Sequence, residues 1–189
     1  MSATLLAEQT TAQRFTYADY KALDVDDNFW YELINGELVK KSSPSTRHQR
    51  ISMKLSSLMH VFVTEKNLGV VMCAPTDVFV DDENVPQPDI FFIEKGREHI
   101  ITDDSVFGAP NLIVEIISPS SIRRDRKDKM NLYKRFGVAE YWIIDPNNKA
   151  VEIYHLTDGI YDLTAFAVES GSLESSAIPG FSLDIVNIF

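Results

Sequence analysis

Residues Leu112-Ile113-Val114-Glu115-Ile116-Ile117 form an apolar run with a single carboxylate inside it. A run of this kind reads as a strand buried on both faces. Layers must cover it above and below, which directs the chain toward a mixed α/β domain built on one central sheet. Glu115 is the residue to explain, because an ionised carboxylate in such a strand is costly unless it is paired or holds a metal. Asp89 poses the same question, since it opens a second apolar strand, Asp89-Ile90-Phe91-Phe92-Ile93, directly after Pro88.

The remaining elements follow from pattern. Thr16 and Asp19 resemble a capping box that opens a short helix through Leu23. Asn35-Gly36 is a strong hairpin signal between two short strands within Trp30–Lys41. Ile51, Leu55, Leu58, Met59 and Phe62 recur on one face of a helix expected over Arg47–Lys66, with Gly69 as its cap. Strands are expected at 70–80 and 89–94, separated by the turn Asp81-Asp82-Glu83-Asn84, and a charged loop with a short helix at 95–110. Ser118-Pro119-Ser120-Ser121 signals the start of a helix running to Phe136, with Gly137 closing it. A strand ending at Asp145-Pro146, a hairpin around Asp158-Gly159 and a packing segment at Ile178–Phe181 complete the chain. Residues 1 to about 14 read as a frayed terminus and 15–189 as a single domain.

Composition narrows the function classes. A lone cysteine, Cys73, excludes an internal disulfide and fits a reducing cytoplasm. It lies in an apolar stretch and reads as a small buried hydrophobe. The apolar runs are too short to span a bilayer, so no membrane role is expected. With no Gly-x-Ser-x-Gly elbow, no glycine-rich phosphate loop and scattered histidines, neither serine hydrolase, ATPase nor zinc chemistry is indicated. The net charge of −10 argues against binding nucleic acid over the whole surface. Yet Arg123, Arg124, Arg126, Lys127, Lys129, Lys134 and Arg135 crowd one segment, which suits either a directed phosphate contact or a solvated helix face interleaved with Asp125 and Asp128.

Two carboxylates on adjacent strands, followed by a basic helix, form the skeleton of a metal-dependent phosphodiester hydrolase. Mg²⁺ or Mn²⁺ takes hard oxygen ligands, and Asp89, Glu115 and the carbonyl of Ile116 could supply them. A lysine is also needed, to orient or deprotonate the attacking water and offset developing charge. In PD-(D/E)XK nucleases it stands two residues after the acid, but that position here is Ile117. Lys127 and Lys129 are the next candidates. Asp125, Lys129 and Tyr133 share a helix face at i, i+4 and i+8, so Lys129 could reach back to the carboxylates. Each residue also has a plainer reading: a turn aspartate at 89, a glutamate–arginine pair at 115, a helical ion pair at 129, an exposed strand residue at Glu32.

The ordered series Tyr31-Glu32-Leu33-Ile34-Asn35-Gly36-Glu37-Leu38, Ser45-Thr46-Arg47-His48, Pro88-Asp89, Val114-Glu115-Ile116-Ile117-Ser118-Pro119-Ser120, Asp125, Lys129, Tyr133, Gly137-Val138, Glu140-Tyr141-Trp142 and Asp145-Pro146 resembles the Uma-two family. These are restriction-endonuclease-like proteins of the PD-(D/E)XK superfamily, and the resemblance spans roughly residues 15–189. It implies a restriction-endonuclease-like fold with a central mixed sheet flanked by helices and extra hairpins. It also implies a divalent-metal site and a lysine that has moved to the following helix. On that reading Asp89 and Glu115 hold the metal with Ile116, Lys129 assists the water, and Glu32 tunes the site. His48, Arg124, Lys127 and Tyr133 contact substrate. DNA is the expected partner, and a homodimer the simplest way to cut two strands.

Overall fold

The computed structural model describes residues 14–23 and 30–189. The expected frayed terminus, Arg14 aside, falls outside the described residues. Thr16 and Asp19 form the reciprocal capping box that starts α1 (Tyr17–Lys21). β1 (Trp30–Ile34) and β2 (Glu37–Lys41) meet at Asn35-Gly36, both at positive φ, 51° and 75°. The hairpin docks through Leu33, which exchanges backbone hydrogen bonds with Val85 (3.2 and 2.7 Å). Tyr20 secures it further by donating to the carbonyl of Tyr31 and to Asp77.

The helix α2 (Thr46–Lys66) begins at Ser45, whose Oγ accepts from the His48 amide. It buries Ile51, Leu55, Met59 and Val63, but not Leu58, which is 41% exposed. The buried stripe is therefore narrower than the sequence pattern suggested, and Phe62 packs only at its margin. The cap is Asn67, in the left-handed region at φ 55°, rather than Gly69. Gly69 serves another purpose: at φ 149°, a Cβ there would stand 2.1 Å from the carbonyl oxygen of Ile93. Only a glycine lets the two backbones pass this closely.

The expected strand over 70–80 is two strands. β3 (Gly69–Cys73) ends before the cis Ala74–Pro75 peptide, and β4 (Val78–Phe79) leaves for a separate pairing. Cys73, at the end of β3, is exposed rather than buried, because the chain turns out of the sheet there. β5 (Ile90–Glu94) follows the Asp81–Asn84 turn, a short 3₁₀ helix spans Lys95–Ile100, and β6 (Val106–Phe107) pairs in parallel with β4. β7 (Leu112–Ile116) is the strand carrying Glu115. The helix expected from Ser118 starts later, because Ser118–Ser121 close a turn instead, with the Ser121 and Ile122 amides both donating to the Ser118 carbonyl. The helical backbone then winds as a π-helix over Arg124–Lys129 and continues as α3 (Met130–Arg135). Single π turns of this kind concentrate at functional sites.

After α3 come β8 (Glu140–Asp145), β9 (Ala150–Thr157) and β10 (Ile160–Val168), then a small hairpin not foreseen from the sequence, β11 (Ser172–Glu174) with β12 (Ser182–Asp184). The central sheet has six strands in the order β10-β9-β8-β7-β5-β3, and β7 and β8 are its parallel pair. The π-helix and α3 make the crossover between those two strands. Alternation along β7 sends Leu112, Val114 and Ile116 into a core beneath α2 and the C-terminal hairpin, with Ile178 and Phe181. Ile113 and Ile117 point the other way, into a core with Leu132, Tyr133, Val138 and Tyr141. Glu115 falls on that second face, toward the π-helix and α3. Buried Glu140 fastens the C-terminal hairpin, accepting from Trp142 Nε1 (2.7 Å), Ser175 Oγ (2.7 Å) and the amides of Ser176 and Ala177.

Candidate active site

Glu115 is 2% exposed, and the face on which alternation places it meets the one polar stripe of the crossover. Lys129 Nζ donates to Glu115 Oε1 at 2.9 Å, and Tyr133 OH donates to the same oxygen at 2.7 Å. Lys129 also donates to Glu32 Oε1 at 2.7 Å, from the opposite side. Asp125, Lys129 and Tyr133 are all buried, as their shared face required. The lysine thus arrives at Glu115 from the helix. The position two residues after the acid is filled by Ile117, packed in the core with Leu132 and Tyr133.

Asp89 stands one residue before Ile90, whose partner in the sheet is Val114. Its Oδ2 accepts from the Ile116 amide at 2.8 Å and lies 3.1 Å from His48 Nε2. Ile116 therefore anchors Asp89 through its amide, and it lines the cleft as well. Glu32 is fully buried, not an exposed strand residue, and accepts from the Gln87 amide at 2.7 Å. The docking of Leu33 on Val85 forces this position. Lys41 Nζ lies 3.5 Å from Glu32 Oε1 and was not foreseen as a site residue. The hairpin register could have revealed it: Glu32 faces Val39, so Lys41 is its diagonal neighbour.

These groups line a cleft of about 980 Å³ between the hairpin, the start of α2 and the Ser118–Ser121 turn. Arg47, Lys40, Lys41 and Arg124 also line it. Lys127 is exposed and does not line it, whereas Tyr133 lies beneath it, engaged with Glu115. Arg126 turns away to form a two-pronged ion pair with Glu152, 2.7 and 2.6 Å. The basic segment is thus divided: Lys129 enters the site, Arg124 borders it, and Arg126 fixes the crossover to β9.

Four carboxylates, Glu32, Asp89, Glu115 and Asp125, surround Lys129 and Lys41. Burial, with neighbouring Asp89, Asp125 and Glu32, pushes Glu115 up to about 8 despite Lys129. Asp125 is raised by burial as well. For Asp89 and Glu32, burial acts upward, but the hydrogen bond from His48 and the charge of Lys129, respectively, outweigh it and hold both below the ordinary carboxylate range. Lys129 is driven down by burial and up by Glu115, Glu32 and Asp125, and the carboxylates win. It stays a cation.

Four carboxylates against two lysines suit a divalent cation, whose binding would displace the proton that burial keeps on Glu115. The contacts of Asp89 run through Oδ2 and those of Glu115 through Oε1, while Glu32 Oε2 is buried with no hydrogen-bond partner among the described residues. Among the described residues no three His, Cys, Asp or Glu side chains form a closed ligand cage. The oxygen set fits Mg²⁺ or Mn²⁺, which is held by one or two carboxylates and retains several waters.

A sequence model of the Uma2 family, described as putative restriction endonuclease, matches residues 17–186. The chain belongs to the Uma2 family. The chain is similar to two uncharacterized proteins of Synechocystis sp. (strain ATCC 27184 / PCC 6803 / Kazusa), sll1609 and slr1290. The first is 26% identical over 170 residues, covering 88% of this chain and 95% of the relative. The second is 26% identical over 161 residues, covering 82% of each. In fold, the Uma2 chain matches the crystal structure of a putative nuclease belonging to DUF820 from Anabaena variabilis, with a TM-score of 0.75 at 18% identity over 93% of this chain and 97% of that one. The fold is therefore that of a nuclease-like mixed α/β domain. No helix among the described residues is long and apolar enough to cross a membrane.

The raised Glu115 carboxyl has a measurable consequence for the metal-free Uma2 protein. Above its ordinary value near 4.5 the unfolded chain releases a proton that the folded chain keeps until about 8. Stability must therefore fall as pH rises across that window. Asp89 and Glu32, held low, act only below it. Thermal melts in chelator should show Glu115→Gln gaining on the native protein between pH 5 and 8. Parallel curves would mean that Glu115 ionises normally.

Proposed function

We propose that this protein is a Mg²⁺- or Mn²⁺-dependent endonuclease that hydrolyses DNA phosphodiester bonds. The observation that carries the reading is Lys129 Nζ held between Glu32 and Glu115 in a cleft that Asp89 also lines and that has a basic rim. Asp89 and Glu115 would hold the metal, with Ile116 beside them and Glu32 beyond. When bound there, a divalent ion polarises the phosphoryl oxygen and acidifies a water.

The side chains divide the remaining work. Lys129, kept protonated by its carboxylates, serves as a fixed positive charge that offsets the negative charge developing at phosphorus, not as a general base. Lys129 and Tyr133 together fix the rotamer of Glu115. His48 and the Ile116 amide fix Asp89. Arg124 and Arg47 meet phosphates at the rim, and exposed Lys127 extends that contact outward. Titrating Mn²⁺ into the purified protein by calorimetry tests the site. Binding to the native protein that vanishes in Glu115→Gln supports it, and absence of binding with and without DNA defeats it.

A homodimer accompanies this reading. β10 is an edge strand of nine residues that exposes Ile160, Leu163, Phe166 and Val168. A long apolar edge invites pairing with a second copy. Phe166→Lys should convert a dimer to a monomer in sedimentation velocity. A native protein that sediments as a monomer at tens of micromolar would remove the proposal.

A further inference from the structure

We infer that Trp30 is a base-stacking platform at the mouth of the cleft, and that the nucleic acid the cleft accepts is a single strand. The inference rests on the nuclease reading for its substrate class and goes further in naming the form of that substrate. Trp30 is 58% exposed, and among the described residues its ring makes no aromatic contact. An indole left in water has no role in the core. It opens β1 two residues before Glu32, so strand alternation places both side chains on one face of the hairpin. Both line the same cleft. Its cross-strand partner is Lys41, the cation beside Glu32.

Three features point to an unpaired strand. The cleft volume of about 980 Å³ is at the upper end of sites that enclose small molecules, about 300–1,000 Å³. Carboxylates at the floor of such a cleft are reached by a strand with splayed bases more readily than by a duplex. The positive charge around it (Lys41, Arg47 and Arg124) is local, in a chain of net charge −10, and so tracks one backbone. A cationic track beside an aromatic face is the arrangement by which proteins hold single strands, because every base can stack.

Tryptophan fluorescence tests this directly. The chain has two tryptophans, and Trp142 is fully buried, so quenching by a bound base reports Trp30. Measurements use a short oligothymidine strand and a duplex of equal length, with Ca²⁺ in place of Mg²⁺ or Mn²⁺ so that binding is read apart from cleavage. The strand should quench Trp30 and the duplex should not. Trp30→Ala should bind the strand about 5- to 150-fold more weakly, the range measured for loss of one stacked base, and Trp30→Phe should recover most of that loss. Equal quenching by the duplex, no quenching by the strand, or unchanged strand affinity in Trp30→Ala overturns the inference. Loss of the nuclease reading would appear instead as absent cleavage with the Trp30 response intact.

Discussion

Lys129→Met should lower the melting temperature by roughly 6–20 °C. The methionine keeps the length of the side chain and removes its charge, so packing changes little. What remains is Glu32, whose charge Lys129 had held, facing the proton-bearing Glu115 across the vacated position, with Asp125 close by, all at most 3% exposed. Breaking a buried ion pair by removing one partner costs about 3–5 kcal/mol, because the other charge is left uncompensated. In a chain of this size each kcal/mol moves the midpoint by about 2–4 °C. At alkaline pH, where Glu115 also ionises, the double variant Lys129→Met with Glu115→Gln should recover part of the loss, which a double-mutant cycle measures as coupling. Mg²⁺ or Mn²⁺ should also restore stability to Lys129→Met by replacing the missing cation. A drop under about 2 °C would show that Glu32 is neutral or solvated, and the electrostatic account of the site would fail.

The second large effect is on activity. Asp89→Asn and Glu115→Gln should each reduce metal-dependent DNA cleavage by at least about 100-fold, since both oxygens proposed for the metal are altered while shape is kept. The two variants should differ in stability. Asp89→Asn loses a carboxylate that His48 and the Ile116 amide hold in its charged form, so it should be destabilised. Glu115→Gln removes a group that burial disfavours, so it should be neutral or stabilised near pH 8. An inactive variant more stable than the native protein is the mark of a carboxylate retained for chemistry. Cleavage unchanged in either variant, measured with Mn²⁺ on single-stranded DNA and on a supercoiled plasmid, would refute the assignment.

The sequence by itself determined a good deal. The carboxylate in an apolar strand marked Glu115, and the i, i+4, i+8 spacing placed Lys129 and Tyr133 on one helix face. Both are local periodicities, so they survive without knowledge of the fold. Asn35-Gly36 set the hairpin register for the same reason. The winding of the crossover was not legible, because Ser118–Ser121 reads equally as a helix start or a turn. Nor was the exposure of Leu58 and Cys73, which depends on how far the neighbouring layers extend.

Tertiary structure decided the rest. Glu32 lies 97 residues from Lys129, and only the docking of Leu33 on Val85 brings the two to 2.7 Å. Lys127 and Lys129 carry the same charge two positions apart. The choice between them comes from which side of the helical crossover packs on β7, which leaves one lysine buried among carboxylates and the other in water. Charge and spacing can nominate a site from the chain alone. Which nominees converge is set by long-range packing, where the apolar faces of β5, β7 and the crossover leave a single polar gap for them to share.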